Sequence, residues 1–434
     1  MHKFYFIILL STLVPSFCSC GEDRSYEYEQ LTERDHWMTD VMKQNYLWGD
    51  SINEDKIQWK SFFAEPESFF KTLTAFAPVS DKWSWCSIDT LSKDYHQRGY
   101  FNHIDSYGMD FVLMTDPTGA TSRQYARIIT VIPGSPADRC GLERGDFIGS
   151  VDDNKMSSSY TSLLVNGKSR KLIVCRLGVD DAEEAFIWTS TDTISIEKSE
   201  YVEDSPYPVC KSFKVGNQTV GYLMCDRLTS GPYEKDVESG QYSTQLDEVM
   251  RTLKSYQAEN LIIDFRLCNY GVIDMANRMA SYLLSSSFEN QAFATTFYNS
   301  SRESENAVLY YQKDALQNGL NLENVFFITS NYTKGAAEWV IRAIQHSLGN
   351  ANVYLIGTIT DGQNVMTEDI PSDYYTTLHP AVAYVGDADG DYDYSSGISP
   401  DYALNELTYV QLFPYGAENE TVLSFIMNEL MNMY

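Results

Sequence analysis

Residues 325–358 read VFFITSNYTKGAAEWVIRAIQHSLGNANVYLIGT, a pattern typical of a strand-helix-strand unit. The apolar run at 325–329 predicts a buried strand, and the periodicity over Ala336–Leu348 predicts a helix. A second apolar run at 353–358 predicts another strand. Apolar strands joined by amphipathic helices indicate a mostly parallel sheet covered on both faces, in which ligands collect at the carboxyl ends of the strands.

The turn between the first strand and the helix is a common place for a catalytic nucleophile. Backbone N–H groups and the positive end of the helix dipole favour a developing anion there. This turn, however, holds Thr333, Lys334 and Gly335, followed by two alanines, and neither a serine nor a cysteine stands at its tip.

The same alternation extends through the C-terminal half of the chain. TVGYLMC at 219–225 and LIIDFR at 261–266 predict further strands, and Ile273–Leu284 predicts a helix between them and the opening stretch. We therefore expect an α/β core over residues 181–434.

Two segments with other sequence patterns precede this core. Residues 20–97 carry apolar and aromatic residues at helical spacing, and Pro66 suits the first turn of a helix, which predicts a linker and a small helical domain. Residues 98–180 contain short β-like runs around PGSPADRCGLERGD at 133–146, with a short helix expected over Ser135–Cys140. The fold class is thus a multidomain α+β protein.

The amino-acid composition argues against one class of binding partner. The chain has 434 residues, 32 of them Lys or Arg and 60 of them Asp or Glu, with no basic stripe visible in the sequence. Nucleic acid is therefore not expected as a partner. The negative charge indicates solubility rather than a mechanism.

The N-terminus predicts export. Residues 1–19 have a short basic start and an apolar run too short to span a membrane, which is typical of a signal peptide. The following Cys20 ends a stretch that resembles a bacterial lipobox, so we expect lipidation there and an outer-membrane lipoprotein on the periplasmic or cell-surface side. The alternative is an ordinary secreted protein with a cleaved signal. The membrane is expected to be a partner only through this lipid.

The middle segment resembles a circularly permuted bacterial PDZ domain, on the strength of its small helix and the Gly-Asp turn that follows. In that family a peptide C-terminus adds as a strand, and backbone amides hold its carboxylate. The matching loop is Ser106, Tyr107, Gly108 and Met109. The alternative is a PDZ-like module that serves only as a lid or spacer.

The whole chain from about Trp37 onward resembles the C-terminal-processing, or tail-specific, serine peptidases, whose core is of the ClpP/crotonase type. The resemblance is carried by DKWSW (81–85), LIIDFR, IGTITDGQNV (356–365) and GISPD (397–401), in that order. It implies a serine-type endopeptidase with a Ser/Lys dyad, in which a desolvated lysine takes the serine proton.

Residue by residue, the resemblance implies that this dyad is gone. The serine of the family pattern Thr-Ala-Ser-Ala-Ser-Glu falls on Gly335, and the lysine of Tyr-Gly-Lys-Asn-Val falls on Gln363. The family's glycine-rich oxyanion loop falls on Cys268, Asn269, Tyr270 and Gly271, where a single glycine remains. We therefore interpret the protein as a catalytically inactive member.

A rebuilt nucleophile is the alternative. Thr333, Ser330 and Cys268 are the nearby candidates, but Thr333 is expected to serve the turn or cap the helix. Cys268 would need a base, and no histidine falls in the matching motifs, because His346 lies ten residues into the helix and His379 follows it.

No cofactor is expected, and no metal is assigned. The cysteines beyond Cys20 lack zinc-ligand spacing. GDADGDYDY at 386–394 places four aspartates at alternate positions, but its glycine is not where a calcium loop of the EF-hand type requires it, so we interpret it as a solvated loop.

The sequence therefore predicts an exported lipoprotein that binds polypeptide C-termini or extended peptides without cleaving them. A working peptidase of the serine type, or one with a repurposed cysteine or threonine, is the enzymatic alternative. A structural or glycan-associated surface lipoprotein is the third possibility.

Overall fold

The structure, a computed structural model, describes residues 25–88, 105–182, 184–231 and 240–433. The expected signal peptide and Cys20 lie outside these residues, so lipidation stays a prediction. Within the described ranges, no helix combines the length and the apolarity that crossing a membrane requires.

The N-terminal part packs two helices on each other through apolar side chains. Helix α1 (Ser25–Asn45) and helix α2 (Pro66–Thr74) are linked by short 3₁₀ turns, and strand β1 (Trp85–Ile88) follows. Pro66 stands in the first turn of α2, as the sequence predicts, because its fixed φ suits that position and its missing N–H costs no hydrogen bond there. The buried residues of this layer include Met38, Met42, Phe69, Phe70 and Leu73.

The middle part is a six-stranded antiparallel sheet with one short helix. Its elements are β2 (Met109–Thr115), β3 (Gln124–Val131), α3 (Pro136–Arg139), β4 (Phe147–Val151), β5 (Asn154–Lys155), β6 (Arg170–Asp180) and β7 (Ala185–Ile196). The strand order is β2-β3-β4-β6-β7, and β5 pairs with β4. The sheet extends past residue 180, where the sequence predicted the domain to end, because β7 pairs with β6 along its whole length.

The C-terminal part alternates strands and helices, as the sequence predicts. Its elements are β8 (Val209–Val215), β9 (Gln218–Met224), α4 (Gln241–Ser255), β10 (Asn260–Asp264), α5 (Ile273–Leu283), β11 (Ala292–Tyr298), β12 (Ala307–Tyr310), α6 (Lys313–Gln317), β13 (Asn324–Thr329), α7 (Ala336–Leu348), β14 (Val353–Gly357), β15 (Val365–Thr367), β16 (Ile370–Pro371), β17 (Thr376–His379), β18 (Ala381–Gly386), β19 (Tyr402–Ala403) and α8 (Thr421–Met433).

Three sheets organise this part. The main sheet has the order β19-β14-β13-β10-β9-β8, and it is parallel except for the β8–β9 hairpin. A four-stranded sheet, β12-β11-β18-β15, packs beside it. A three-stranded antiparallel sheet, β1-β17-β16, joins the N-terminal part to the core. The expected parallel core is confirmed, and strand β13 delivers the chain to the turn before α7.

Buried charges hold the middle part against the core. Arg266 lies at the end of β10 and pairs with Asp264 at 2.6 Å, with Glu420 at 2.8 Å and with Glu406. Glu406 also pairs with Arg144 of the middle part at 2.7 Å. The two arginines thus share one carboxylate across the boundary between the two parts.

Glu406 is held ionised by this arrangement. Burial alone would raise the pKa of Glu406, but the attraction of Arg266 and Arg144 outweighs it and lowers the pKa below its ordinary value. Breaking a buried ion pair leaves an uncompensated charge, which is more costly than losing an exposed pair.

We expect Glu406→Gln to lower the free energy of unfolding by about 3 kcal/mol, at the lower end of the cost of breaking a buried pair, because Arg266 keeps two other carboxylates. Urea unfolding at neutral pH measures this change. The exposed Glu418→Gln on the same segment is the matched control, and equal stability of the two variants would contradict the shared-carboxylate arrangement.

Candidate functional site

The turn between β13 and α7 is fixed to the neighbouring loop by hydrogen bonds from both hydroxyl side chains. Thr333 Oγ1 donates to the carbonyl oxygen of Phe265 at 2.8 Å, and Ser330 Oγ donates to that of Arg266 at 2.6 Å. Lys334 N donates to the carbonyl oxygen of Cys268 at 3.1 Å. The turn therefore has one conformation, which is set by the end of β10.

Gly335 is the last residue before α7, and its backbone is in an unusual conformation. Its φ is 57° and its ψ is −115°. Residues other than glycine adopt such angles only under strain, and strained strand-to-helix turns of this kind carry the nucleophile in α/β-hydrolases. The glycine makes this turn without the strain that a serine would store.

The side chain of Gln363 lies directly against Gly335. A Cβ atom built on Gly335 would lie 3.3 Å from Gln363 Cδ and Oε1 and 3.5 Å from its Nε2. The Gln363 amide donates to the carbonyl oxygen of Val365 at 3.2 Å. The structure thus brings together the two positions that the sequence placed 28 residues apart in the chain.

Glu338 connects the start of α7 to the segment that carries Gln363. Its carboxylate accepts hydrogen bonds from the backbone N–H groups of Gly335 at 2.9 Å, Gly362 at 2.7 Å and Gln363 at 2.8 Å, and from the Thr360 hydroxyl. The side chain is fully buried. Burial raises the pKa of Glu338 to about 7, although the four hydrogen bonds act in the opposite direction.

Glu338 is the last residue of the stretch that matches the family pattern, and its contacts across the site were not predicted from the sequence. A glutamate three residues after the N-cap residue is a recognised sequence signal for a helix start. Its carboxylate can accept a hydrogen bond from the N-cap N–H, as in a capping box. The bonds to Gly362 and Gln363 have no signal in the sequence, since they depend on how β14 and α7 pack.

The loop expected to resemble an oxyanion loop lies beside the turn. Its backbone is held by Leu228, whose N–H donates to the carbonyl oxygen of Tyr270 at 3.0 Å and whose carbonyl oxygen accepts from Val272 N at 2.8 Å. A Cβ on Gly271 would lie 2.5 Å from Ala336 Cβ, so the one remaining glycine is required for packing against α7. Tyr270 and Asn269 line the adjacent cleft.

The candidates for a rebuilt nucleophile are already engaged. Thr333 is fully buried, and it serves the turn as predicted: besides its bond to Phe265, its oxygen accepts from Ser330 N at 2.9 Å. Cys268 is a fully buried thiol in the apolar core. His379 lies 4% exposed in the three-stranded sheet, where its partners are Asp369 and Ser87.

A cleft of about 950 Å³ opens above the turn, between the N-terminal part and the core. Gly335 and Gln363 line its floor, and Trp83 and Trp85 line one wall. The wall is attached to the floor, because Trp83 Nε1 donates to Asp361 Oδ2 at 3.2 Å and Lys82 pairs with the same carboxylate at 3.5 Å. Lys334 also lines this cleft.

The loop predicted to hold a peptide carboxylate uses its amides within the chain. Ser106 N donates to the carbonyl oxygen of Glu200 at 2.7 Å, Tyr107 N to that of Val165 at 3.2 Å, and Gly108 N to Ser106 Oγ at 2.8 Å. The side chain of Tyr107 is buried. Binding at Ser106–Met109 stays a prediction, and it would require these bonds to be exchanged for bonds to the ligand.

Helix α7 supplies ion-pair partners to the aspartate-rich loop. Arg342 pairs with Asp387 at 2.6 Å and with Asp391 at 2.7 Å, and His346 lies 3.2 Å from Asp389. Within the part of the chain that the structure describes, no group of three or more His, Cys, Asp or Glu could hold a metal ion.

The mostly parallel sheet, the strand-turn-helix unit before α7 and the flanking PDZ-like part together are typical of a multidomain peptidase fold. Comparison with protein families agrees. Residues 219–404 match peptidase family S41, residues 33–85 match the peptidase S41 N-terminal domain, and residues 127–164 match a PDZ domain. The chain belongs to peptidase family S41.

Two of the solved structures that match this chain cover nearly all of it. A putative S41 protease from Bacteroides fragilis NCTC 9343 is 27% identical, with a TM-score of 0.77 over 92% of this chain and 97% of that one. A photosystem II D1 C-terminal processing protease is 14% identical, with a TM-score of 0.52 over 90% and 96%, and shares the fold. No curated protein sequence matches this chain.

The backbone angles of Gly335 lead to a stability prediction. We expect Gly335→Ala to lower the free energy of unfolding by about 1–3 kcal/mol, the cost of holding a residue with a Cβ in a sparsely populated conformation. Urea unfolding measures the change. The same substitution in a Gln363→Ala background removes the contact but keeps the strain, so the cost should persist there, and no cost in either background would contradict the turn geometry.

The raised pKa of Glu338 leads to a pH prediction. Between its ordinary value and about pH 7 the folded protein binds a proton that the unfolded chain does not, so this group stabilises the fold at low pH and the contribution is lost as pH rises through 7. Replacing it by glutamine should reduce the difference in unfolding free energy between pH 5 and pH 8 by about 2–3 kcal/mol.

The measurement is urea unfolding of wild type and Glu338→Gln at both pH values. The exposed Glu418→Gln serves as the control and should keep the wild-type pH dependence. An unchanged pH dependence in Glu338→Gln would show that the carboxylate has an ordinary pKa.

Proposed function

We propose that this protein is an S41 family member that binds an extended polypeptide in its cleft without cleaving it. The observation that carries the proposal is Gly335, which makes the turn before α7 with a φ of 57° and lies against the side chain of Gln363. Glycine offers no nucleophile, and a glutamine amide cannot accept a proton at neutral pH. In another serine peptidase, loss of the nucleophile alone costs on the order of 10⁶ in turnover.

The bulky residue in the adjacent loop supports the same conclusion. Tyr270 stands where the family resemblance expects glycine, and it lines the cleft beside Asn269. A side chain in this loop restricts the backbone angles that glycine allows. Three features of one site thus depart from the pattern that the chemistry needs.

The cleft is the better of the two candidate binding places. It has room for an extended chain, and its walls combine aromatic faces with polar groups, as in Trp83, Trp85 and Lys334. The PDZ-like loop, by contrast, has three amides already bonded within the chain. Recognition of a free C-terminus at Ser106–Met109 is therefore the secondary binding mode that we propose.

A rebuilt peptidase at the same turn has less support. The hydroxyl groups of Thr333 and Ser330 donate hydrogen bonds to backbone carbonyl oxygens, and Cys268 is buried in the core. A structural or glycan-associated role has no observation in its favour beyond the aromatic residues. We further propose that lipidation at Cys20 anchors the exported protein at the outer membrane, which rests on the N-terminal sequence alone.

The proposal is tested by incubating the purified protein with a proteome-derived peptide library and analysing bound and unbound peptides by mass spectrometry. We expect peptides to be retained and every peptide to stay intact. Val272→Arg places a charged side chain on the exposed rim of the cleft and should lower retention at least tenfold, because it obstructs the path of an extended chain.

The matched control is Val179→Arg, which changes an equally exposed valine on β6, away from the cleft. It should retain peptides as wild type does. Reproducible cleavage by wild type that Cys268→Ala or Thr333→Ala abolishes would overturn the proposal, and retention lost on C-terminal amidation would move the site to the PDZ-like loop.

A further inference from the structure

A second set of chemically active side chains lies on the three-stranded sheet. In its register Trp85 stands opposite His379, and Ser87 follows two residues later on the same face of β1. Ile370 stands opposite Leu378, so Asp369 approaches His379 from the other side. The pairing therefore places a serine, a histidine and an aspartate side by side across three strands.

The hydrogen bonds between them form a continuous chain. His379 Nδ1 is bonded to Asp369 Oδ1, and His379 Nε2 lies 3.0 Å from Ser87 Oγ. A carboxylate can only accept, so Nδ1 carries a proton, and in the neutral imidazole Nε2 then presents its lone pair to the serine hydroxyl. This is the tautomer that a general base requires.

The imidazole is held in this orientation by stacking. Its ring lies 3.5 Å from the Trp85 ring with an angle of 5° between the planes, and it is 4% exposed. The indole face also favours the positive charge that the ring gains when it takes a proton. The serine is half-buried, whereas Trp85 and Asp369 line the cleft described above.

We propose that Ser87, His379 and Asp369 form a nucleophilic site, separate from the turn at Gly335, that hydrolyses carboxylic esters presented at the edge of the cleft. Geometry and order of contacts match the serine-histidine-aspartate arrangement that recurs on unrelated folds. The inference does not rest on the proposed peptide binding, since neither Gly335 nor Gln363 takes part in it.

The reaction balances with water as the only co-reactant. Ser87 Oγ attacks the ester carbonyl carbon while its proton passes to His379 Nε2, and the alkoxide then leaves as an alcohol with that proton. Water attacks the acyl-serine, His379 takes its proton and returns it to Ser87 Oγ, and the carboxylic acid departs. Asp369 stays ionised throughout and stabilises the imidazolium.

The leaving group and the residues around Ser87 indicate which substrates the site would take. An alkoxide leaves more readily than an amine anion, so an ester places a smaller demand on stabilisation of the tetrahedral intermediate than a peptide bond does. The aromatic faces of Trp83 and Trp85 on the same wall of the cleft suit an apolar or aromatic ester.

Two probes test the site on the purified protein. A fluorophosphonate reports the nucleophile by forming an adduct, which peptide mapping locates, and p-nitrophenyl butyrate reports ester hydrolysis. We expect a single adduct on the peptide that contains Ser87, and none on that of Ser212, an exposed serine of strand β8 that serves as the internal control. Ser87→Ala should abolish the adduct and lower hydrolysis at least tenfold.

A shape-preserving variant separates catalysis from structural support. Asp369→Asn should slow labelling of Ser87 at least tenfold and shift its pH dependence, with Tm within about 2 °C of wild type. If folded wild type gives no adduct on Ser87, or if labelling is the same in Asp369→Asn, the three residues only satisfy a buried imidazole and the inference is overturned. Loss of labelling in Gly335 variants alone would also contradict the separation of the two sites.

Discussion

The geometry of the candidate site depends on the buried carboxylate of Glu338. Removing a carboxylate from water is costly unless hydrogen bonds replace its hydration. Here three backbone N–H groups and the Thr360 hydroxyl do so, and they come from both sides of the site. One side chain thus sets the distance between the start of α7 and the segment around Gln363.

This constraint explains how the architecture can persist with a glycine at position 335 and a glutamine at position 363. Glu338 bonds the backbone of positions 335 and 363, so neither side chain is needed to hold the two elements together. Gly335 relieves the strain that a nucleophile would store at φ 57°. Glu406 likewise joins two parts of the chain through one buried carboxylate. It pairs with Arg144 of the PDZ-like part and with Arg266 of the core.

Much of the fold could be predicted from sequence, because its signals are local. The periodicity over Ala336–Leu348 gives the helix with the bounds that the structure has, and the apolar run at 325–329 gives β13 to within one residue. The strands of the four-stranded and three-stranded sheets were missed. Most of them are short, and β1 and β11 also pair with β17 and β18, which lie far away in the chain. Strand β7 was missed for a related reason, since it is half-exposed and lacks a continuous apolar run.

The candidate site, too, was predictable from the sequence only in part. The resemblance to the family located Gly335 and Gln363, and the structure places them in contact. The use of the Ser106–Gly108 amides within the chain could not be seen from sequence, because it depends on Val165 and Glu200, far along the chain. The link between Ser87 and His379 spans 292 residues, and only the pairing of β1 with β17 reveals it.

The most direct test places a serine at position 335 and a lysine at position 363 in a Ser87→Ala background and measures peptide cleavage by mass spectrometry. The account predicts that Gly335→Ser and Gln363→Lys are each inert, as is the parent, and that the two together with Tyr270→Gly cleave peptides at mapped sites. Cleavage by the parent at a rate comparable to that of the combined variant would contradict it, because the turn would then need neither side chain.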